Sequence, residues 1–146
     1  MGLATDSIFI QALTTSSELM DTIGSRLYGT AIPLPDEDID NVPVPYIIVT
    51  FDGLNNDAQT KDNTYEGEFD VVNIGVEVVA ESLTALHELA QKVRDTILTY
   101  MTTEDAPILD YQFAAQAIQY DSLKPCYWQT LTYQCDVEII NEDDNE

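Results

Sequence analysis

The hydrophobic positions along the chain switch between two periods, and the switches mark its elements. Ile8, Phe9, Ala12 and Leu13 recur at spacings of three and four, which predicts an amphipathic helix that Thr5 or Asp6 can cap. Thr15-Ser16-Ser17-Glu18 reads as a capping box, a hydroxyl followed three residues later by Glu. It opens a second short helix with Leu19, Met20 and Ile23 inward, and Gly24 supplies its stop. Arg26-Leu27-Tyr28 follows as a short extended piece. The β-branched and aromatic run from Tyr46 to Phe51 predicts a strand, and residues 52 to 66 are polar with a single Leu. Strand character resumes at Glu68 and runs to Ala80, with Val72, Ile74, Val76 and Val78 on one face. A helical period returns after Ser82, a good cap. Leu83, Leu86, Ala90, Val93, Ile97 and Tyr100 form its stripe, and the helix ends near Tyr100 or Met101. Glu88 and Lys92 can pair on its surface. Residues 108 to 121 and 126 to 140 read as two more strands, joined by a turn from Asp121 to Pro125. In the last strand Tyr127, Leu131, Tyr133, Cys135, Val137 and Ile139 share one parity, with Gln129 the polar exception.

This order gives two short helices, a strand pair, a long helix and a second strand pair. It predicts an α+β fold: an antiparallel or mixed β-sheet of about four main strands, with helices packed on one face and a long β-hairpin tip. Residues 1–140 form a single domain on this reading and 141–146 an acidic tail. A tip as long as residues 52–66 exceeds the usual two to five residues of a hairpin loop, so it is expected to touch something. Residues 29–45 form a connector whose four prolines, Pro33, Pro35, Pro43 and Pro45, forbid both helix and central strand.

Charge narrows the functional classes. Five Lys and Arg stand against 27 Asp and Glu, a formal net charge of −22. A duplex repels such a surface, and too few cations exist to neutralise a run of phosphates. Anionic membrane surfaces are excluded by the same sign. No apolar stretch reaches the length of a membrane span, and the N-terminus lacks the basic flank of a signal peptide. The Met-Gly start lacks the hydroxyl residue that myristoylation needs at position 6, where Asp6 stands, so the chain is expected to be cytosolic when made. The two cysteines, Cys126 and Cys135, fall nine apart in one predicted strand. That spacing puts them on opposite faces and roughly 30 Å apart at about 3.3 Å per residue, too far for a disulfide. Two free thiols are expected.

Candidate chemistry is sparse. His87 is the sole histidine and reads as an ordinary helix residue. No nucleophile turn or glycine-rich phosphate loop occurs, and Cys126 has only Lys124 as a nearby basic residue. The clusters Asp36, Glu37, Asp38, Asp40 and Glu142, Asp143, Asp144 could hold a cation weakly, but neither has EF-hand spacing. No catalytic residue, metal site or cofactor is expected. The eight tyrosines say more: Tyr111, Tyr120, Tyr127, Trp128 and Tyr133 crowd the C-terminal strands. Strand propensity accounts for such a crowd, and so does a partner interface.

The order of elements resembles that of the tail-completion (tail-terminator) and neck, or head–tail joining, proteins of tailed bacteriophages. The matching features are the N-terminal helix ending in Arg26-Leu27-Tyr28, the Pro-rich connector, and the strand opened by Pro45-Tyr46-Ile47-Ile48-Val49. A polar tip follows, then the run from Val71 to Ala80 leading straight into the Leu83 to Leu98 helix, and a final strand pair. The resemblance spans about residues 5 to 140. It implies a non-enzymatic virion subunit forming a homo-oligomeric ring, on the order of six or twelve copies, through which genomic DNA passes without specific binding. Neighbouring neck, portal-adaptor or tail proteins would be its partners, with no membrane, and the virion tail or neck its location. In that family the tip typically reaches a neighbouring subunit or the next ring, which makes Asn55, Asn56, Asp57, Gln59, Lys61, Asn63 and Tyr65 candidate contacts, with Tyr127 and Trp128 added from the aromatic strands. Asp36, Glu37, Asp38, Asp40, Glu142, Asp143 and Asp144 become candidate linings of the passage or patches facing basic partners. The acidic connector and tail depart from the family pattern. An acidic wall would keep DNA from sticking. The competing reading is an acidic DNA mimic that inhibits a nuclease or DNA-binding protein. A mimic needs its carboxylates spread over one convex face, whereas here they cluster in the connector, the tip and the tail.

Overall fold

The computed structural model describes residues 5–29, 43–55, 69–103, 108–122 and 125–138. Its elements in order are α1 (Thr5–Thr14), α2 (Ser17–Ile23), β1 (Leu27–Tyr28), β2 (Tyr46–Asn55), β3 (Phe69–Ala80), α3 (Leu83–Thr103), β4 (Ile108–Ala115), β5 (Gln119–Asp121) and β6 (Cys126–Glu138). All six strands belong to one sheet in the order β1-β2-β3-β6-β4, with β5 also pairing β6. Only β1–β2 is parallel, so the α+β prediction holds and the sheet is mixed. β2, β3 and β6 fall on predicted strands, β1 on the short extended piece at Arg26-Leu27-Tyr28, and β4 and β5 together on the predicted strand 108–121.

The helix ends follow local chemistry. α1 begins at Thr5, so Thr5 and Asp6 lie in its first turn rather than before it, where the Asp6 carboxylate suits the positive end of the helix dipole. Ser16, not Thr15, caps α2: its hydroxyl accepts from the Leu19 amide at 3.1 Å. Thr15 instead donates its hydroxyl to the Ala12 carbonyl at 2.6 Å, closing α1. Gly24 ends α2 at φ 57°, in the left-handed region where a Cβ is penalised. Ser82 caps α3 by accepting from Ala85 at 3.1 Å.

The core lies between the helices and one face of the sheet. Val72, Ile74, Val76 and Val78 of β3 are fully buried there, with Ile47 and Val49 of β2 and Leu131, Tyr133, Cys135 and Val137 of β6. Phe9 and Leu13 of α1, Leu19 and Ile23 of α2, and Leu86, Leu89, Val93 and Ile97 of α3 close over them. Leu89 was absent from the predicted α3 stripe, and Leu83, at its head, is 45% exposed. Lys92 does not pair with Glu88; it reaches α2, where its ammonium sits 3.1 Å from Glu18. Both cysteines are buried and free, as spacing predicted. Cys135 is in the core, and burial pushes its thiol up to about 12.

Two departures from regular strand geometry re-aim side chains. β2 continues past the predicted end at Phe51 to Asn55, through a bulge between Phe51 and Gly53. Residues 52–55 are therefore strand, not tip, and Asn55 is a strand residue opposite Val71. The predicted strand 108–121 is broken. Ala115 pairs Leu131 and Gln119 pairs Trp128, so three residues (116–118) face two (129–130). The Gln116 amide donates to Thr130 O, and the Gln129 side chain donates to Gln116 O at 2.8 Å. That bond accounts for the one polar residue on the core parity of β6. The extra residue reverses the alternation, so Tyr120 pairs with Tyr127 on the helix-bearing side.

The contrast along α3 gives a stability test. Leu86→Ala should cost about 2–5 kcal/mol in chemical denaturation of the isolated chain, because it opens a cavity in the core. Leu83→Ala should stay within about 0.5 kcal/mol of wild type.

Candidate interaction surfaces

The sheet buries one face under helices, and among the described residues no helix packs on the other. Alternation places Tyr28, Tyr46, Ile48, Glu77, Val79, Cys126, Trp128 and Thr130 on this second face. Register orders them in rows. Tyr46, Val79, Trp128 and Gln119 stand side by side, and the next row is Tyr28, Ile48, Glu77 and Thr130. The rings of Tyr28 and Tyr46 meet edge-on, 6.1 Å apart. Val79 and Cys126 are almost wholly buried. One half of the helix-free face is therefore apolar and aromatic.

The other half is polar, with Thr50 and Asp52 on β2, Asn73 on β3 and Gln134 on β6 exposed. The Thr50 hydroxyl donates to Asp52 Oδ1 at 2.9 Å. Gly75 leaves room for this pair: a Cβ there would lie 2.7 Å from both Asp52 Oδ2 and Thr50 Oγ1.

Glu77 sits where the halves meet, the one charged residue in a run of otherwise uncharged positions from Val71 to Ala80. Its carboxylate is half-buried and has no hydrogen bond or ion pair among the described residues. Loss of water contact raises its pKa above the usual carboxylate range. Burial first, and then the nearby Glu77, Cys126, Asp121 and Tyr28, push Tyr46 up to about 12.

A second surface lies on the helix-bearing side, where α3 stops short of the sheet edge. A groove of about 230 Å³ runs between His87, Ala90 and Arg94 of α3 and Phe113, Ala115 and Leu131 of the sheet. The Arg94 guanidinium lies over the Phe113 ring, 4.3 Å from its centroid. Beneath it Phe9, Tyr111 and Phe113 surround Tyr133, with ring centroids 5.1 to 5.6 Å away. The Tyr133 hydroxyl is buried without a hydrogen-bond partner, and burial raises its pKa. The β5 end of this side is apolar: Tyr120 is 53% exposed and its ring meets that of Tyr127 at a tilt, 4.9 Å between centroids, and Ile118 is 36% exposed.

Of the sequence-predicted contacts, Tyr127 and Trp128 are partly exposed but lie on opposite faces of the sheet, so they serve two surfaces. Asn55 belongs to β2 by its backbone. Asn56, Asp57, Gln59, Lys61, Asn63, Tyr65, Asp36, Glu37, Asp38, Asp40, Glu142, Asp143 and Asp144 lie outside the described residues. Sequence reasoning missed Glu77 and Arg94. The signals were a lone charge inside a β-branched run and one of only five cations in the chain. Among the described residues no group of three or more His, Cys, Asp or Glu could hold a metal ion, and no helix is long and apolar enough to cross a membrane.

No protein-family model matches the chain, and no curated protein matches it. Its structure is similar to a chain of the solved virion of a native gene transfer agent particle. The TM-score is 0.60 at 15% identity, over 90% of this chain and 92% of that one. A chain from Akkermansia muciniphila, solved without its transmembrane region, aligns at a TM-score of 0.28 and 12% identity over 64% of this chain and 46% of that one. The first likeness establishes a shared fold over nearly the whole of both chains; the second is too weak to bear an argument.

Glu77 supplies a pH test. Its folded pKa is raised, so between the unfolded and folded values the native state binds more protons, and stability falls as pH rises. Glu77→Gln should therefore raise the melting temperature of the unassembled chain at neutral pH. The gain should shrink to nothing as pH drops to the unfolded carboxylate range. A gain that persists in acid would place the cost elsewhere.

Proposed function

We propose that this chain is a non-enzymatic virion structural subunit. It forms a homo-oligomeric ring at the head–tail junction of a tailed bacteriophage, as a neck or tail-terminator component. The observation that supports this reading most is the likeness, end to end, to a chain of a virion particle. The element order from Arg26-Leu27-Tyr28 through the Val71–Ala80 strand and α3 supports it independently. So does the net charge of −22, which suits a passage that DNA must cross without adhering. On this reading the residues beyond β2, from Asn56 to Tyr65, reach a neighbouring subunit. The clusters Asp36–Asp40 and Glu142–Asp144 line the passage or meet basic patches of adjoining virion proteins.

Two surfaces of different chemistry fit such a role. A ring needs a head-to-tail contact in which unlike patches meet and the rotation closes. The aromatic half of the helix-free face and the groove beside α3 lie on opposite sides of one sheet, so neither can satisfy itself by a simple two-fold pairing of both.

Native mass spectrometry of the purified chain should show closed rings of on the order of six or twelve copies. Deleting residues 56–64 should leave the melting transition in place and abolish those rings. A monomer that binds a nuclease tightly, with an affinity falling steeply in salt, would replace the ring reading with the DNA-mimic one.

A further inference from the structure

Like copies of a chain carrying −22 repel one another, and a cation brought to a contact between them offsets that repulsion. Three cations lie among the described residues that form contacts. Lys92 is held by Glu18 at 3.1 Å, and the Arg26 Nε donates to the Pro45 carbonyl at 3.2 Å. Arg94 has no carboxylate partner among the described residues. Its guanidinium carbon lies over the Phe113 ring, beside an open groove. A guanidinium placed over a ring can still donate its N–H groups to a carboxylate.

The helix-free face offers the complementary group. Glu77 is half-buried, unpaired among the described residues, and set beside the row of Tyr46, Val79 and Trp128. We propose that the helix-free face of one copy docks on the groove between α3 and β4 of the next, where Glu77 meets Arg94 of the adjoining copy. This rests on the ring reading above and adds to it the two surfaces that touch. The partner is a second copy because each copy carries both halves of the pair. The two halves lie on opposite sides of the sheet, so one copy cannot join them internally. Desolvating Glu77 has an energetic cost in the free subunit, and an incoming guanidinium offsets it. The aromatic row gains cover in the same step, as do the exposed Tyr120 and Ile118 near the groove.

The test is a charge exchange, read by native mass spectrometry and sedimentation at matched salt. Glu77→Arg and Arg94→Glu should each stay folded by thermal melting and fail to form rings alone. Mixed in equal amounts, the two should assemble, because the reversed face of one fits the reversed groove of the other and the unchanged surfaces also match. The double variant should assemble by itself. The milder Glu77→Gln and Arg94→Gln should each weaken assembly by about tenfold or more. The proposal is overturned if wild type forms rings and either single reversal forms them equally well. It is also overturned if the folded mixture stays monomeric. Neither of those results touches the ring reading, whereas a wild-type chain that remains monomeric at all concentrations removes both.

Discussion

The structure depends on the alternation of β3. This strand pairs along its whole length with β6 and along most of it with β2, so it fixes the position of every long strand but β4. Its even residues, Val72 to Val78, form the floor of the core. A shift of one residue would bring Asn73, Gly75 and Glu77 under the helices and expose four valine or isoleucine side chains. Burying each such side chain is worth about 1.5–3 kcal/mol, so the register is held by several mutually reinforcing contacts. The same alternation determines what the opposite face must show. Glu77 stands on the helix-free side because Val76 and Val78 cannot leave the helix-bearing one.

The elements governed by such one-sided burial are the ones legible in the sequence. β3, β6 and α3 declare themselves through period two or period 3.6 over ten or more residues; the buried faces of β3 and β6 match the structure, while the α3 stripe holds at Leu86, Val93 and Ile97 and misses Leu89. Reading fails where a single residue changes the phase. The bulge at Phe51–Gly53 carries β2 into a stretch whose composition, Asp-Gly-Leu-Asn, reads as turn. The unmatched residue between Ala115 and Gln119 moves Tyr120 to the other side of the sheet, and nothing in the local composition marks it. Leu83 fits the helical stripe by spacing, yet it is the first residue of the helix and is left exposed. Ser16 takes the cap from Thr15 because Thr15 is still needed to finish α1, a choice set by two neighbouring elements together.

The candidate surfaces were legible to a different extent. The crowd of aromatics pointed at the C-terminal strands, and Tyr127 and Trp128 do border exposed surface. Their adjacency in sequence hid the fact that consecutive strand residues point apart. Tyr127 belongs with Tyr120 and the groove, Trp128 with Tyr46 and the helix-free face. Glu77 and Arg94 could not be singled out from residue type alone. A glutamate in a strand and an arginine on a helix become informative only when burial and the absence of a partner are known.

Charge ties these points together. With 27 acidic residues, most carboxylates must lie in water, where screening limits their mutual repulsion to about a Debye length. Glu77 does not: it sits half out of water on the apolar part of a sheet face, at a position where an uncharged residue would serve folding better. Lys92 and Arg26 are already engaged in fastening α2 and the start of β1 to the body of the domain. Among the described residues Arg94 is engaged with an aromatic ring and with no carboxylate. Among the described residues Arg94 has no carboxylate partner and Glu77 no cation, which is what the proposed contact between copies would supply to both. Association of such subunits should then tighten as salt rises from very low values, because bulk repulsion is screened first. The short-range Glu77–Arg94 pair, once buried between copies, is screened far less.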